Sequence, residues 1–301
     1  MSAAVAGAAF TPRTRPSLAG AVRSELLKIR RQALTWALVA LFAVASAIAL
    51  VSLVIGPATR SELEHRPLAF YFAYLSGCQA LFDIGSGILL LVLTARLVGM
   101  EYSGGTVRIV LARGTGRLQL LAAQLIGLAI TAVLLLAAFV VVATAFLGAT
   151  VVTWHGNLSP ITSLPAVAGR DTLISLLVGL VSMGVSLLLG TAAAAVGRSL
   201  PFAVGAALGF FPADNFGTIV MHLLGRVTQN HGFWYSLTQW FLGPSLNQLA
   251  AALQTDHAGT TFLPTPLVTV TAAHLWAVIG VWSAVFLVAS VALTWRRDVQ
   301  E

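Results

Sequence analysis

Six long apolar segments constrain this chain more than any other feature. Each exceeds the roughly 20 residues that an α-helix needs to cross the hydrocarbon core of a bilayer. They are Ala33 to Ile55, Leu75 to Gly99, Leu118 to Val152, Thr172 to Gly197, Leu200 to Leu224 and Val268 to Trp295. Since 58% of the residues are hydrophobic and 9% are charged, we predict an all-α integral membrane protein with six transmembrane helices in a single domain over residues 1–301. The third segment is too long for a perpendicular crossing, so we expect it to tilt or to project from the membrane.

The distribution of basic residues predicts the orientation of these helices. If the segments cross in turn, thirteen of the seventeen Lys and Arg lie on the side of both termini, and the other side holds Arg60, Arg66, Arg170 and Arg226. Basic residues near the ends of spans are retained in the cytoplasm. We therefore expect a multi-pass protein of the cell membrane (plasma or inner) with both termini in the cytoplasm. Contact with anionic lipid then accounts for the positive charge, and nucleic acid is not an expected partner.

The segment before the first span has the pattern of an amphipathic helix that lies in the membrane interface. Residues 17–33 place five apolar side chains on one helical face: Leu18, Val22, Leu26, Ile29 and Ala33. The charged residues of the segment are Arg23, Glu25, Lys28, Arg30 and Arg31, and its basic residues fall outside that face. The alternative is that these basic residues only anchor the first span. Residues 1–16 show no periodicity, which predicts a flexible tail.

A polar island interrupts the apolar sequence between the second and third spans. It runs from Met100 to Arg117 and is longer than a simple helix connection requires. It begins with a carboxylate and a glycine-rich stretch, and continues with Val107, Val110 and Leu111 at helical spacing. The candidate docking residues are Glu101, Tyr102, Gly104, Gly105, Thr106, Val107 and Arg108. We interpret the island as a docking segment with a short amphipathic helix on the cytoplasmic side. The alternative is a basic loop that only fixes topology.

Two acidic residues fall within predicted spans, Asp83 in the second and Asp214 in the fifth. An ionised carboxylate at depth costs a few kcal/mol and is usually turned inward or hydrated. Asp83, Asp214 and Asn215 are therefore candidates for a polar translocation path, and buried hydrogen-bonded carboxyls or a hydrated helix end are the alternatives. Pro212 and Gly217 flank Asp214 and predict a break in the fifth helix. Gly205 and Gly209 form a G-x-x-x-G pattern that permits close helix packing within or between subunits.

Catalytic and metal-binding patterns are missing from the sequence. The single lysine, Lys28, is not part of a phosphate-binding G-x-x-x-x-G-K-[ST] motif, and the six histidines do not have metal-ligand spacing. We therefore expect neither an enzyme nor a chain that binds a metal or a cofactor itself. Phe233 to Pro266, between the last two spans, is rich in aromatic residues but contains no clean span. We expect it to lie outside, with Phe233 to Leu253 dipping into the outer interface as short re-entrant helices.

The order of these features resembles the permease subunit of a type-2 ABC exporter. The resemblance rests on SELLKIRR before the first span, EYSGGTVRIVLARGTGRLQLLAAQL after the second and TWRRD after the sixth, and it covers nearly the whole chain. The part from Glu101 to Gln124 is the most specific, because Glu101, Gly105, Thr106, Arg108, Leu111 and Arg117 occupy the family's typical positions. Gly114 to Gly116 departs from the family, which frequently has a proline there.

The resemblance implies a function and a set of partners. Residues 17–33 would be the elbow helix, and the polar island would be the cytoplasmic coupling helix that seats on a separate ABC ATPase. ATP and Mg²⁺ would then bind to that ATPase, and a second permease copy or a paralogue would complete the path between the second and fifth helices. Two rival functions remain open: a proton- or cation-coupled secondary transporter that uses Asp83 or Asp214, and an intramembrane enzyme.

Overall fold

The computed structural model describes residues 17–103, 116–197, 199–254 and 263–296, and all regular structure in these ranges is helical. Six helices are long and apolar enough to cross a membrane, which confirms that prediction. They are α2 (Ala33–Val54), α4 (Pro67–Ser103), α5 (Arg117–His155), α7 (Ala166–Gly197), α8 (Leu200–Val227) and α11 (Ala272–Arg296). The shorter elements are α1 (Leu18–Arg31), α3 (Pro57–His65), α6 (Ser159–Thr162), α9 (His231–Leu237), a 3₁₀ turn (Thr238–Trp240) and α10 (Leu242–Leu253). The predicted tail, residues 1–16, lies outside the described ranges.

Helices α4 and α7 form the centre of the bundle. They pack against each other more extensively than any other pair of described elements, α8 and α11 pack on α7, and α2 packs on α4. In the most apolar stretch of each helix, 61% of the residues of α4 and 50% of those of α7 are buried, against 17% for α2 and 11% for α8. Where α4 and α7 meet, small residues allow close approach: a Cβ at Gly190 would lie 3.0 Å from the Cβ of Thr94. Helices α2 and α8 therefore present apolar surface outward.

Helix α4 is longer than its predicted membrane span, and the predicted break in α8 is wrong. Helix α4 begins at Pro67, eight residues before the predicted start at Leu75. Proline suits the first turn of a helix, where its missing N–H has no intrahelical partner, and buried aromatic residues such as Phe70 and Tyr74 continue the helix from there. Helix α8 is continuous from Leu200 to Val227 with Pro212 inside it, so the predicted break does not occur. A proline removes a single backbone hydrogen bond, and an apolar helix packed against neighbours tolerates that loss.

Hydrogen bonds join elements at the end of the bundle where α1 lies, which we term the basic end. The Trp36 indole donates to the Arg30 carbonyl (2.8 Å) across the corner between α1 and α2. The Arg117 guanidinium, at the start of α5, donates to the Trp295 carbonyl near the end of α11 (3.4 Å). Helices α3, α6 and α9 occupy the opposite end, as six consecutive crossings require.

Candidate functional site

A groove of about 470 Å³ lies between α4 and α8, and α10 closes one side of it. Most of its walls are apolar, but Asp83 on α4 and Asn215 on α8 both line it. The structure thus brings together two of the three residues predicted for a translocation path. Pro212 also lines the groove, next to Phe211.

Asp83 retains one oxygen without a protein partner. The Gln79 amide, one helical turn earlier on α4, donates to Asp83 Oδ2 at 2.8 Å. Asp83 Oδ1 is shielded from solvent and accepts no hydrogen bond. A buried polar atom in that state costs free energy unless water or a cation reaches it. Asp83 is therefore the candidate for a functional acidic residue among those that line the groove.

Asp214 has a different environment, although it comes from the neighbouring helix. Its side chain accepts hydrogen bonds from the backbone N–H groups of Leu242 and Gly243, the first two residues of α10. Phe241 precedes α10 and supplies no side-chain cap, so the carboxylate of Asp214 caps this helix from α8. Asp214 is not among the residues that line the groove.

The side chain of Asn215 continues this connection between α8 and the segment that follows it. Asn215 donates to the Phe211 carbonyl (2.8 Å) within α8 and accepts from the Asn247 amide on α10 (2.9 Å). Asn247 also donates to the Pro264 carbonyl at 2.7 Å. Asn215 therefore both lines the groove and orders α10. Asn247 is 32 residues away in the sequence and Phe211 is 4 residues away. Only the hydrogen bond from the Asn215 side chain to the Phe211 carbonyl could therefore be predicted from the local sequence.

Gly217 has a packing role in place of the helix-breaking role that we expected. A Cβ at this position would lie 2.9 Å from the ring of Phe241, at the turn before α10. Gly217 thus lets the turn approach α8 closely while α8 stays helical. Gly205 and Gly209 behave differently, because a Cβ at either would meet nothing within 4 Å. Their surface is open in the single chain and is available for contact between subunits.

Helix α1 buries a residue that the apolar pattern did not place inside. Glu25 is 1% exposed and pairs with Lys28 at 2.6 Å. It faces α5, where a Cβ at Gly127 would lie 3.4 Å from the Glu25 Cβ. Ile29 is also buried, whereas Leu18 and Ala33, at the two ends of the predicted stripe, are exposed. Arg23, Arg30 and Arg31 are exposed as expected. The i, i+3 spacing of Glu25 and Lys28 was the available signal for this pair.

The polar island lies mostly outside the described residues. Glu101 and Tyr102 belong to the last turn of α4. The remaining residues predicted for docking, Gly104, Gly105, Thr106, Val107 and Arg108, fall in the undescribed range 104–115. The ends of α4 and α5 nevertheless fix where the island starts and stops.

Polar residues that the sequence reasoning did not single out surround Asp83. Gln79, Ser175, Asn247 and Gln254 line a second, smaller cavity beside the groove, and Asp83 lines both. Gln79 was detectable as a polar residue one turn from Asp83 within an apolar helix, whereas the others come from α7, α10 and its end. Comparison with models of protein families and with curated proteins gives no match for this chain.

Proposed function

We propose that this chain is the permease subunit of an ATP-driven ABC transporter of the exporter type, coupled to separate ATPase subunits. The observation that carries the proposal is the length of the two helices that bracket the polar island. Helix α4 has 37 residues and α5 has 39, or about 55 and 58 Å at 1.5 Å per residue. Both exceed a hydrocarbon core of about 30 Å. In the proposed orientation, excess length on the cytoplasmic side would hold the island away from the membrane, where a partner would bind.

The packing of α1 supports its assignment as an elbow helix in the cytoplasmic interface. It lies at the basic end, packs on α5 where Glu25 faces Gly127, and leaves its arginines exposed, where they would meet anionic headgroups. Since α5 also begins directly after the polar island, α1 is in contact with the helix through which a movement of the island would be transmitted.

Two outward-facing surfaces support a second copy or a paralogue as the other half of the path. Ile84 and Ile88 form an exposed ridge of α4 between the groove on α8 and a further groove of about 600 Å³ on α2. Helix α8 adds a row of exposed apolar side chains: Phe202, Phe216, Ile219, Val220, Leu223 and Val227. In the proposed dimer this face would meet its counterpart, so that α4 and α8 border the substrate path.

The segment between α8 and α11 supports the proposed re-entrant outer structure. The Trp282 indole donates to the Trp240 carbonyl at 3.1 Å, and Trp282 lies about 15 Å along α11 from its first residue. Asp214, which caps α10, lies about 20 Å along α8 from the end of that helix at Val227. In the proposed re-entrant arrangement the turn between α9 and α10 would reach membrane depth, and the Asp214 cap would satisfy backbone N–H groups there.

The proposed orientation places the basic end and both termini in the cytoplasm of a cell that carries the protein in its plasma or inner membrane. Single-cysteine labelling tests it after Cys78, the one native cysteine, is replaced by alanine. A cysteine at Asp256 should react with an impermeant reagent added from outside, and one at Arg297 should react only after the membrane is permeabilised. The reverse pattern would contradict the six-span orientation.

Coupling to the ATPase is tested by reversing charges on the polar island. In liposomes that contain the purified complex, Glu101→Arg with Arg108→Glu should lower substrate-stimulated ATP hydrolysis about tenfold or more, because paired interface charges contribute several kcal/mol. The matched control is Glu64→Arg on α3, an exposed carboxylate at the opposite end of the bundle. Unchanged hydrolysis in the island variant, or failure of any ATPase to co-purify with the chain, would remove the docking assignment.

A cation-coupled secondary transporter is the second candidate, and the unpartnered Oδ1 of Asp83 favours it. The two functions differ in their energy source. Transport by the chain alone, in liposomes with a Na⁺ or proton gradient and without ATP or an ATPase, would replace the permease proposal with this one.

A further inference from the structure

A small cavity beside Asp83 has a lining rich in polar side chains. It measures about 50 Å³ and lies between α4, α7 and α10. Its polar lining comes from Ser76, Gln79, Asp83, Ser175, Asn247 and Gln254. A volume of this size holds one or two water-sized particles, so a polar occupant fits and a drug-sized molecule does not.

Hydrogen bonds fix the orientation of each amide that lines the cavity. Gln79 donates to a carboxylate oxygen of Asp83, and Asn247 donates to the Pro264 carbonyl. Gln254 donates to the Asp171 carbonyl (3.3 Å) and to the Ser175 hydroxyl (3.1 Å). Carboxylate and carbonyl oxygens only accept, so in each case the nitrogen end must be the one that is engaged. The amide oxygens remain as the groups free to face the cavity.

The cavity is therefore lined by oxygen atoms, and one of its lining groups is a carboxylate. Asp83 Oδ1 is buried and accepts no hydrogen bond. Asp171 lies one helical turn from Ser175 on α7, is 0% exposed, and neither of its carboxylate oxygens has a hydrogen-bond partner. Oxygen ligands with a nearby buried carboxylate suit a hard cation, and a buried charge is normally paired or bound to a metal.

The charge of the lining selects the class of cation. A single carboxylate, that of Asp83, lines the cavity, and the other lining oxygens are neutral. The described residues contain no group of three His, Cys, Asp or Glu that could hold a metal, which is the kind of set that divalent and transition metals use. One carboxylate with neutral oxygens balances a monovalent ion.

We propose that this cavity binds a small monovalent metal cation of the size of Na⁺ or K⁺, held by Asp83, Gln79, Ser175, Asn247 and Gln254. Asp83, Asn247 and Leu263 line both the cavity and the groove between α4 and α8, so the ion enters from the groove. The bound ion joins α4, α7 and α10. The site does not depend on the ATPase and is present whichever transport mechanism the protein uses.

Thermal unfolding of the purified full chain in nanodiscs tests the site. Unfolding is followed in NaCl, in KCl and in N-methyl-D-glucamine chloride, whose cation is too large for the cavity, at constant ionic strength. We expect Na⁺ or K⁺ to raise Tm by about 3 °C or more, with a dependence on ion concentration that saturates. Equal Tm values in the three salts would overturn the proposal.

Variants localise the effect. Asp83→Asn should abolish the cation dependence of Tm, whereas Glu62→Gln, which removes the same charge from the exposed surface of α3, should retain it. Ser175→Ala keeps the charge and removes one oxygen, and should raise the half-saturating cation concentration about tenfold. If Asp83→Asn does not yield folded protein, Ser175→Ala decides. A cation effect unchanged in both variants means that the ion binds elsewhere and overturns the proposal.

Discussion

Helices α4 and α8 line one groove and each carries an aspartate within a candidate membrane span, yet the two carboxylates differ in their hydrogen bonding. Asp214 on α8 accepts hydrogen bonds from the backbone N–H groups of Leu242 and Gly243. Asp83 on α4 accepts a hydrogen bond only from the Gln79 amide, and its second carboxylate oxygen has no partner. A carboxylate that caps a helix is explained by the stability of the fold. A buried oxygen without a protein partner costs free energy that a bound water or cation would recover. The comparison gives Asp214 a structural role and leaves Asp83 as the candidate for a functional one.

The two helices also differ in how much of their surface is buried. Helix α4 is the most buried of the six long helices, with 61% of its most apolar stretch inside, and α8 is the least, with 11%. Helix α8 packs most extensively on α4 and α7, and α9, the 3₁₀ turn and α10 add further contacts. We therefore expect α8 to be sensitive to changes at those contacts, and α4 to tolerate the loss of the Asp83 charge.

We expect the largest loss of stability when α10 is separated from α8. A Cβ at Gly243 would lie 2.6 Å from Asn215 Nδ2 and 3.2 Å from Asp214 Oδ2. Gly243→Leu should therefore destabilise the protein by about 3 kcal/mol or prevent its folding, since overpacking costs 1–3 kcal/mol and the cap is lost as well. Thermal unfolding and the yield of monodisperse protein measure it. The control is Gly280→Leu on α11, where a Cβ meets nothing within 4 Å. Equal stability of the two variants would show that the α8–α10 contact is not formed.

Substitutions of the two aspartates should give the next largest changes in stability. Asp214→Ala should cost about 1–2 kcal/mol because α10 loses its cap, and Asp214→Asn should recover part of that loss because the amide oxygen still accepts. Asp83→Asn, measured without Na⁺ or K⁺, should change the free energy of unfolding by less than Asp214→Ala or Asp214→Asn does. Export of a cationic and a neutral substrate by Asp214→Asn should decline in parallel. A selective loss for the cationic substrate would instead place Asp214 on the path, as the sequence first suggested.

The exposed face of α8 offers a smaller change that leaves the monomer intact. Gly205→Leu with Gly209→Leu fills a surface where a Cβ meets nothing in the single chain. We expect unchanged thermal stability of the monomer and dimerisation weakened about tenfold, because close helix approach between copies depends on small residues. Cross-linking in nanodiscs measures the dimer. Unaltered dimerisation would place the contact between copies elsewhere, for example on the ridge of α4.

The smallest expected effect concerns the attachment of the turn before α10 to α11. Trp282→Phe removes the hydrogen bond to the Trp240 carbonyl and keeps an aromatic ring against Phe210 and Phe286. We expect a loss of about 1 kcal/mol, the net contribution of one hydrogen bond. Trp276→Phe is the matched control, since Trp276 is 37% exposed on the same helix. If both variants unfold at the same temperature as the wild type, the Trp240 carbonyl has another donor.

The sequence predicted the six helices of the bundle, and the limits of that prediction have a physical cause. Transfer of an apolar segment into a bilayer sums over its own residues, so length and composition suffice to find it. The same local reasoning was wrong at Pro212 and Gly217, where it predicted a break. Whether such residues interrupt a helix depends on neighbours, and here Gly217 receives the Phe241 ring while α8 continues.

The site was predictable only in part. Asp83, Asp214 and Asn215 were found because a polar residue in an apolar segment is costly wherever it lies. Their roles could not be separated, because Asp214 and its acceptor site at Gly243 are 29 residues apart. The burial of Glu25 depends likewise on contact between α1 and a glycine about a hundred positions further along the chain, on α5.

The sequence by itself determined the class of the protein, the number of its spans and the acidic residues within them, since each follows from the solvation free energy of a local segment. The tertiary structure alone decided that α4 and α7 are central, that Asp214 caps a helix and that Asp83 borders an oxygen-lined cavity. These outcomes depend on contacts between segments far apart in the chain. Without a hydrophobic driving force between helices in lipid, such contacts depend on shape and hydrogen bonding, which no single segment contains.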